Sequence, residues 1–158
     1  MKRSLGTQLR HLLELLDGAV GAAYEEAGLA YRPRYTPVMR ALMQQEPATI
    51  GHIATAAGIT QPAATQTIAL MIKEGLVTAE AGAADGRQKL IRLSAQGRAL
   101  LPQLQACWQA TAVAAASLEA ECGLAATIEG AIEALAARPY GERIREARAA
   151  LPADNTGP

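Results

Sequence analysis

Leu9, Leu12, Leu13, Leu16 and Val20 recur at intervals of three and four, a spacing that lays one broad apolar stripe along a helix. The pattern fades near Gly28. Tyr31-Arg32-Pro33-Arg34-Tyr35-Thr36-Pro37 then reads as a connector, because its prolines stiffen the chain and deny helix continuity. Helical spacing resumes in Val38, Leu42 and Met43, and again over a shorter stretch in Ile50, Ile53 and Ala54. Gly58-Ile59 marks a turn. A further helix is expected from Thr60 to Gly75, with Ala64, Ile68 and Met71 on one face and Gln61, Thr65 and Ala69 on another. Leu76-Val77, a Gly/Ala-rich tip with Asp85-Gly86-Arg87, and the alternating run Leu90-Ile91-Arg92-Leu93 predict a two-stranded ribbon.

Helix, helix, tight turn, helix and ribbon is the order of a winged helix-turn-helix, which places one helix in a DNA major groove with the ribbon tip beside it. Capping chemistry supports the boundaries. Thr49 and Thr60 suit the N-caps of the second and third helices, Pro62 falls in a first turn where a missing amide costs little, and Gly58 suits a left-handed helix end. Ser94 is expected to cap a long helix carrying Leu100, Leu101, Leu104, Trp108, Val113 and Leu118. Cys122-Gly123 marks a break, after which come a helix with Leu124, Ile128, Ile132 and Leu135 and a last short one with Ile144 and Ala147. The expected architecture is mainly α, a winged helix-turn-helix with a two-stranded wing over residues 32–97. Helices at 5–30 and 98–151 flank it, apolar beyond what one chain buries and hence suited to dimerisation, and 152–158 is a flexible tail.

Composition narrows the function. Lys+Arg and Asp+Glu both number 15, so the formal charge is zero and any positive surface must come from geometry. Half of the residues are hydrophobic, but there is no Phe, which favours thin, closely packed helices over a wide aromatic pocket. No secretory signal or membrane-length apolar run is read, so a cytoplasmic protein without membrane association is expected. Cys107 and Cys122 lack the close spacing of a zinc or redox pair, and His11 and His52 are far apart, so neither a metal nor a cofactor is expected. No phosphate loop follows a strand and no Ser/His/Asp set stands in a plausible context, so the chain is not read as an enzyme. The residues expected to meet DNA are Thr60, Gln61, Pro62, Thr65 and Gln66 on the third helix, with Lys89 and Arg87 on the wing.

In order and at the expected intervals, several short pieces resemble the MarR family of bacterial transcriptional regulators: Ile53-Ala54, Gly58-Ile59, Thr60-Gln61-Pro62-Ala63-Ala64-Thr65-Gln66, Gly75-Leu76-Val77, Asp85 and Arg87, and Leu93-Ser94 with Gly97. The resemblance runs roughly from Leu9 to Leu135 and is strongest between Ile50 and Leu104. It implies a homodimer on a pseudo-twofold double-stranded DNA site, with recognition helices in successive major grooves. It further implies that Arg87 enters the minor groove while Asp85 braces the tip, and that a small, often aromatic or phenolic, ligand relieves repression. The chain departs from the family where charge matters. An arginine is usual where Gln66 stands, and basic residues are frequent around Ala69-Leu70 and at Ala79.

Two further readings follow. Tyr24, Tyr31 and Tyr35 with Arg32 and Arg34 form the one close aromatic group, and with His11 they could line a ligand cleft at the connector. The plainer alternative is that the tyrosines pack and the arginines touch phosphate or solvent. The neutral charge also admits a winged-helix dimer that acts mainly as a protein-interaction module.

Overall fold

The computed structural model describes residues 4–82 and 88–151. Helix α1 (Leu5–Glu26) starts at Ser4, whose hydroxyl accepts from the Thr7 amide. A single 3-10 turn (Pro33–Tyr35) leads into α2 (Thr36–Gln44), and strand β1 (Ala48–Thr49) into α3 (Ile50–Ala57). Helix α4 (Gln61–Lys73), strands β2 (Val77–Ala81) and β3 (Lys89–Leu93), and helices α5 (Ala95–Cys122), α6 (Leu124–Ala137) and α7 (Tyr140–Ala150) complete the order.

Three helix ends share one device. Gly28, Gly58 and Gly75 all have positive φ, a region closed to most side chains, and each is followed by an aliphatic residue. The amides of Leu29, Ile59 and Leu76 reach back to the carbonyls of Tyr24, Ala54 and Met71 at 2.8, 3.0 and 2.9 Å. These bonds satisfy carbonyls that a helix end leaves free, and they fold the following aliphatic residue under the helix it terminates.

The sheet is antiparallel in the order β1-β3-β2, with Val77 opposite Leu93, Ala79 opposite Ile91, and Ala48 opposite Ile91 on the other side. The expected ribbon is therefore one strand wider, because Ala48-Thr49 adds a two-residue strand before α3. Ile91, Leu93 and Val77 face inward, and together with Val38, Met39, Leu42, Ile53, Ile68 and Met71 they form the core beneath the wing. Met43, expected to share the inner face of α2, is 40% exposed, and Met39 is buried in its place.

The chain divides into two compact units, Met1–Thr111 and Ala112–Pro158, with the division inside α5. The physical reason is that Leu104 and Trp108 of α5 are buried in the same core as Tyr24, Tyr31 and Tyr35. In the first unit, Leu9, Leu13 and Leu16 of α1 stand exposed. In the second, Ile128, Ile132 and Leu135 of α6 and Ile144 of α7 do. The expected tail, 152–158, lies outside the described residues. Among those described, no single helix is long and apolar enough to cross a membrane.

The junction between β3 and α5 is the tightest point of the first unit. Ser94 donates its amide to the Leu76 carbonyl at 3.0 Å and its hydroxyl to the Gly75 carbonyl at 2.5 Å, while that same hydroxyl oxygen accepts from the Gly97 amide at 2.9 Å. A Cβ on Gly97 would lie 2.1 Å from the Leu76 carbonyl oxygen, an overlap between two backbones. Gly97→Ala is therefore expected to cost about 3 kcal/mol or more, the upper end of overpacking penalties. Gly51→Ala, in the first turn of α3 with open space around it, should be neutral or stabilising by up to about 1 kcal/mol. Urea unfolding of both variants checks this, and equal midpoints would refute the close approach.

Candidate nucleic-acid interface

Helix α4 is pinned from within by Ala64, Thr67, Ile68 and Met71, all buried against α2, α3 and the sheet. That leaves Gln61, Pro62, Thr65, Gln66 and Ala69 on the exposed face, as their spacing implies. The start of the helix is fixed by Thr60, whose hydroxyl accepts from the Ala63 amide at 3.3 Å and keeps its own hydrogen for an outside acceptor. Thr65 is differently committed. It donates to the Gln61 carbonyl at 2.9 Å, so outward it offers an acceptor and a methyl group. The Gln61 and Gln66 amides have no partner among the described residues.

Lys89 begins β3 at the loop end of the wing, opposite Ala81 in the β2–β3 register. Together with Gln61, Gln88, Thr49, Ile50 and Gly51 it lines an open groove between the wing and the first turns of α3 and α4. Thr49 caps α3 by accepting from the His52 amide at 3.2 Å. The groove thus joins one cation, a helix start with its positive dipole end, and an amide side chain, a set suited to an anionic oxygen. Thr49, Gly51 and Gln88 are not among the residues that the sequence assigns to DNA contact. Only the cap at Thr49 carried a signal, and that signal was structural. Arg87 and Asp85 lie outside the described residues.

The neutral charge is resolved by pairing. Arg32 meets Glu74 at 2.9 Å, Arg92 meets Glu80 at 3.4 Å, and Arg98 meets Glu46, whose other oxygen accepts from the Leu93 amide at 2.9 Å. Lys73 and Lys89 have no carboxylate partner among the described residues. The described carboxylates of the winged segment, Glu46, Glu74 and Glu80, are thus held by arginines, and the groove beside α4 keeps its cation. Each exposed pair contributes little to stability, about 0–1 kcal/mol, but the pairing decides where positive charge remains.

The tyrosines sit inside the core rather than along an open cleft. Tyr24, Tyr31 and Tyr35 are buried and pack edge to face, with ring centroids 5.0 and 5.7 Å apart. In a chain without Phe they are the large rings available where α1, the connector and α2 meet. Trp108 donates its indole N–H to the Tyr24 hydroxyl at 2.9 Å, and that hydroxyl lies 3.2 Å from the Thr36 hydroxyl. Arg34 reaches the buried Thr67 hydroxyl at 3.4 Å. His11 stands exposed, 3.9 Å from Glu14 and about 20 Å along α1 from Tyr24 at the helical rise. One chain therefore brings the three tyrosines together and leaves His11 apart. The hollow that does reach solvent is lined by Glu25, Leu29, Ala30, Tyr31, Arg32, Glu74 and Gln96. No group of His, Cys, Asp or Glu among the described residues could hold a metal ion.

A helix-turn-helix with its second helix exposed, continued by an antiparallel wing, defines a winged helix-turn-helix protein. Residues 28–88 of its sequence match the model of the MarR family. Several solved structures are similar. The M. tuberculosis transcriptional regulator MOSR in complex with DNA is 24% identical, with a TM-score of 0.67, covering 87% of this chain and 99% of that one. The S. aureus MepR–DNA complex is 16% identical with a TM-score of 0.67, covering 85% and 100%. The transcriptional repressor CouR bound to a 23-mer DNA duplex is 19% identical with a TM-score of 0.59, covering 85% and 91%. At these identities the likeness shows the fold. No curated protein matches by sequence.

The hydroxyls of Tyr31 and Tyr35 are buried without a hydrogen-bond partner. Burial, first of all, pushes both phenols above their ordinary value, and at Tyr35 the nearby Glu74 carboxylate adds to the rise. The native state then holds these protons to higher pH than the unfolded chain does. Stability from this source is complete below about pH 10 and declines as pH rises from there toward the folded values. Tyr31→Phe should change stability at pH 7 by less than about 1 kcal/mol, since no hydrogen bond is lost. It should also make the alkaline decline shallower. Denaturant midpoints between pH 8 and 11 check this; the same alkaline slope in both proteins would refute it.

Proposed function

We propose that the chain is a homodimeric, DNA-binding transcriptional regulator that represses from a pseudo-palindromic operator, with α4 in the major groove and the wing, residues 80–92, in the flanking minor groove. The observation that carries this reading is the exposed polar row of Gln61, Thr65 and Gln66 on a helix anchored along its whole inner face, beside the Lys89 groove. A helix of this length spans about 20 Å and fits a major groove about 12 Å wide. The relatives described as bound to DNA, and a family of DNA-binding regulators rather than enzymes, support it. The exposed leucines of α1 and the exposed isoleucines of α6 are the surfaces we assign to the partner subunit. At the wing tip, Arg87 takes the minor-groove role that the family resemblance implies.

The test is a palindromic duplex bound at increasing salt. Affinity should fall linearly on logarithmic axes, and Lys89→Ala should reduce the slope by about one for each protomer while leaving the sequence preference intact. Sedimentation in the same buffers should give a dimer at micromolar concentration. A stable monomer, or no salt-dependent shift with any duplex, would favour the winged-helix interaction module instead.

We also propose that a small aromatic or phenolic acid relieves repression by occupying the hollow beside Tyr31. Its carboxylate would compete with Glu74 for Arg32, exchanging one ion pair for another. Relief requires that the ligand prefer the free dimer, since equal affinity for both states shifts nothing. Calorimetric titration of a panel of aromatic acids, on the free dimer and on the DNA complex, should show weaker binding to the complex. It should also show that Arg32→Ala abolishes the heat. No binding at millimolar concentration, or equal affinities, would rule the role out.

A further inference from the structure

The exposed face of α4 has a chemistry that suits one kind of base pair. Its sole charged residue is Lys73, in the last turn, so the two turns that lead the helix present neutral groups only. Gln61 and Gln66 each offer a free amide, one donor group and one acceptor group side by side. Thr65 has given its hydrogen to the Gln61 carbonyl and offers an acceptor with a methyl group. Pro62 and Ala69, both exposed, add apolar surface before and after them.

In the major groove, adenine presents an acceptor at N7 beside a donor at N6, which an amide matches with both of its groups. Thymine presents O4 and a methyl group, which apolar side chains cover. Guanine presents two acceptors, N7 and O6, and is best met by the forked or multiple donors of Arg or Lys, which the two leading turns of this face lack. The cytosine amino group, set against Pro62 or Ala69 and out of reach of the Thr65 and glutamine oxygens, would be left without an acceptor, and an unpaired buried donor is costly.

Resting on the DNA-binding reading above, we infer that α4 reads A·T pairs. Gln61 and Gln66 hold adenine edges, Pro62, Ala69 and the Thr65 methyl group cover thymine methyls, and G·C pairs are rejected at these positions. Non-specific affinity comes from the Lys89 groove and the wing, so the two contributions can be separated by mutation. The same row explains how a recognition helix without an arginine can still discriminate: it distinguishes bases by matching donor–acceptor pairs and methyl groups, where a charged helix would grip guanine.

The test selects preferred duplexes from a randomised palindromic library with the full-length chain, then alters single atoms in the winners. Replacing adenine by 7-deaza-adenine at the symmetric preferred positions should weaken wild-type binding by roughly 5- to 100-fold. The same replacement should have little effect on whichever of Gln61→Ala and Gln66→Ala has lost that contact. Replacing thymine by deoxyuridine, which removes the methyl group alone, should weaken binding several-fold. Both glutamines are exposed, so circular dichroism should confirm that the variants fold. Selected sites with guanine at the contacted positions, indifference to 7-deaza-adenine, or wild-type site preferences in both glutamine variants would overturn the inference while leaving DNA binding in place. Absence of salt-dependent binding to any library member would overturn the DNA-binding reading and this inference with it.

Discussion

The Leu76 carbonyl oxygen lies where a side chain on Gly97 would have to go, and three parts of the winged unit depend on that contact. Leu76 closes α4 by folding its amide back to Met71, and its carbonyl accepts from Ser94 as β3 gives way to α5. Ser94 in turn caps α5 through Gly97 and ties itself to Gly75. The end of the recognition helix, the start of the wing and the first turn of the long helix are thus fixed through a few shared backbone groups. Glu46 adds a further tie, with one oxygen on the Leu93 amide and the other on Arg98. In the proposed role, α4 presents side chains to base edges, and a helix used in that way needs this kind of support behind it.

How much of this was legible in the sequence depended on whether the signal was local. Caps and helix ends were readable because their chemistry is confined to four or five residues. Thr49, Thr60, Ser94 and Gly58 do in the structure what their residue types imply. The strand Ala48–Thr49 was not readable, since two residues carry no periodicity and pairing with Ile91 and Leu90 is a long-range event. The exchange of Met43 for Met39 on α2 has the same origin: both are apolar and one helical turn apart, and only the packing of α2 decides which is covered. The base-facing row on α4 came from spacing alone. The groove that flanks it needed the fold to bring Gly51 and Gln88 to Lys89.

Zero net charge and an interface for a polyanion are compatible because the carboxylates have been given local work. Glu74, Glu80 and Glu46 each hold an arginine, two of them across elements distant in sequence. The count of charges was readable from composition, but its distribution was not. The described part of the proposed interface offers few unpaired cations, so DNA binding by it would rely on hydrogen bonds and apolar contacts to a degree that a basic helix would not require.

The buried tyrosines bear on how far such a regulator can bend. Trp108 has only a donor to offer, so the Tyr24 hydroxyl accepts from it, and the same hydroxyl shares a second hydrogen bond with the Thr36 hydroxyl. That chain joins α5 to α1 and α1 to α2 inside the core. Arg40 of α2 covers the Trp108 ring from outside, 5.0 Å from its centroid. A hinge between the first part of α5 and the winged segment would have to break a buried hydrogen bond and part three packed rings at once. These contacts tie the C-terminal end of α1 and the first part of α5 to the segment that carries α4. In the proposed dimer, the exposed leucines of α1 are then one of the surfaces at which the separation of the two reading helices is set.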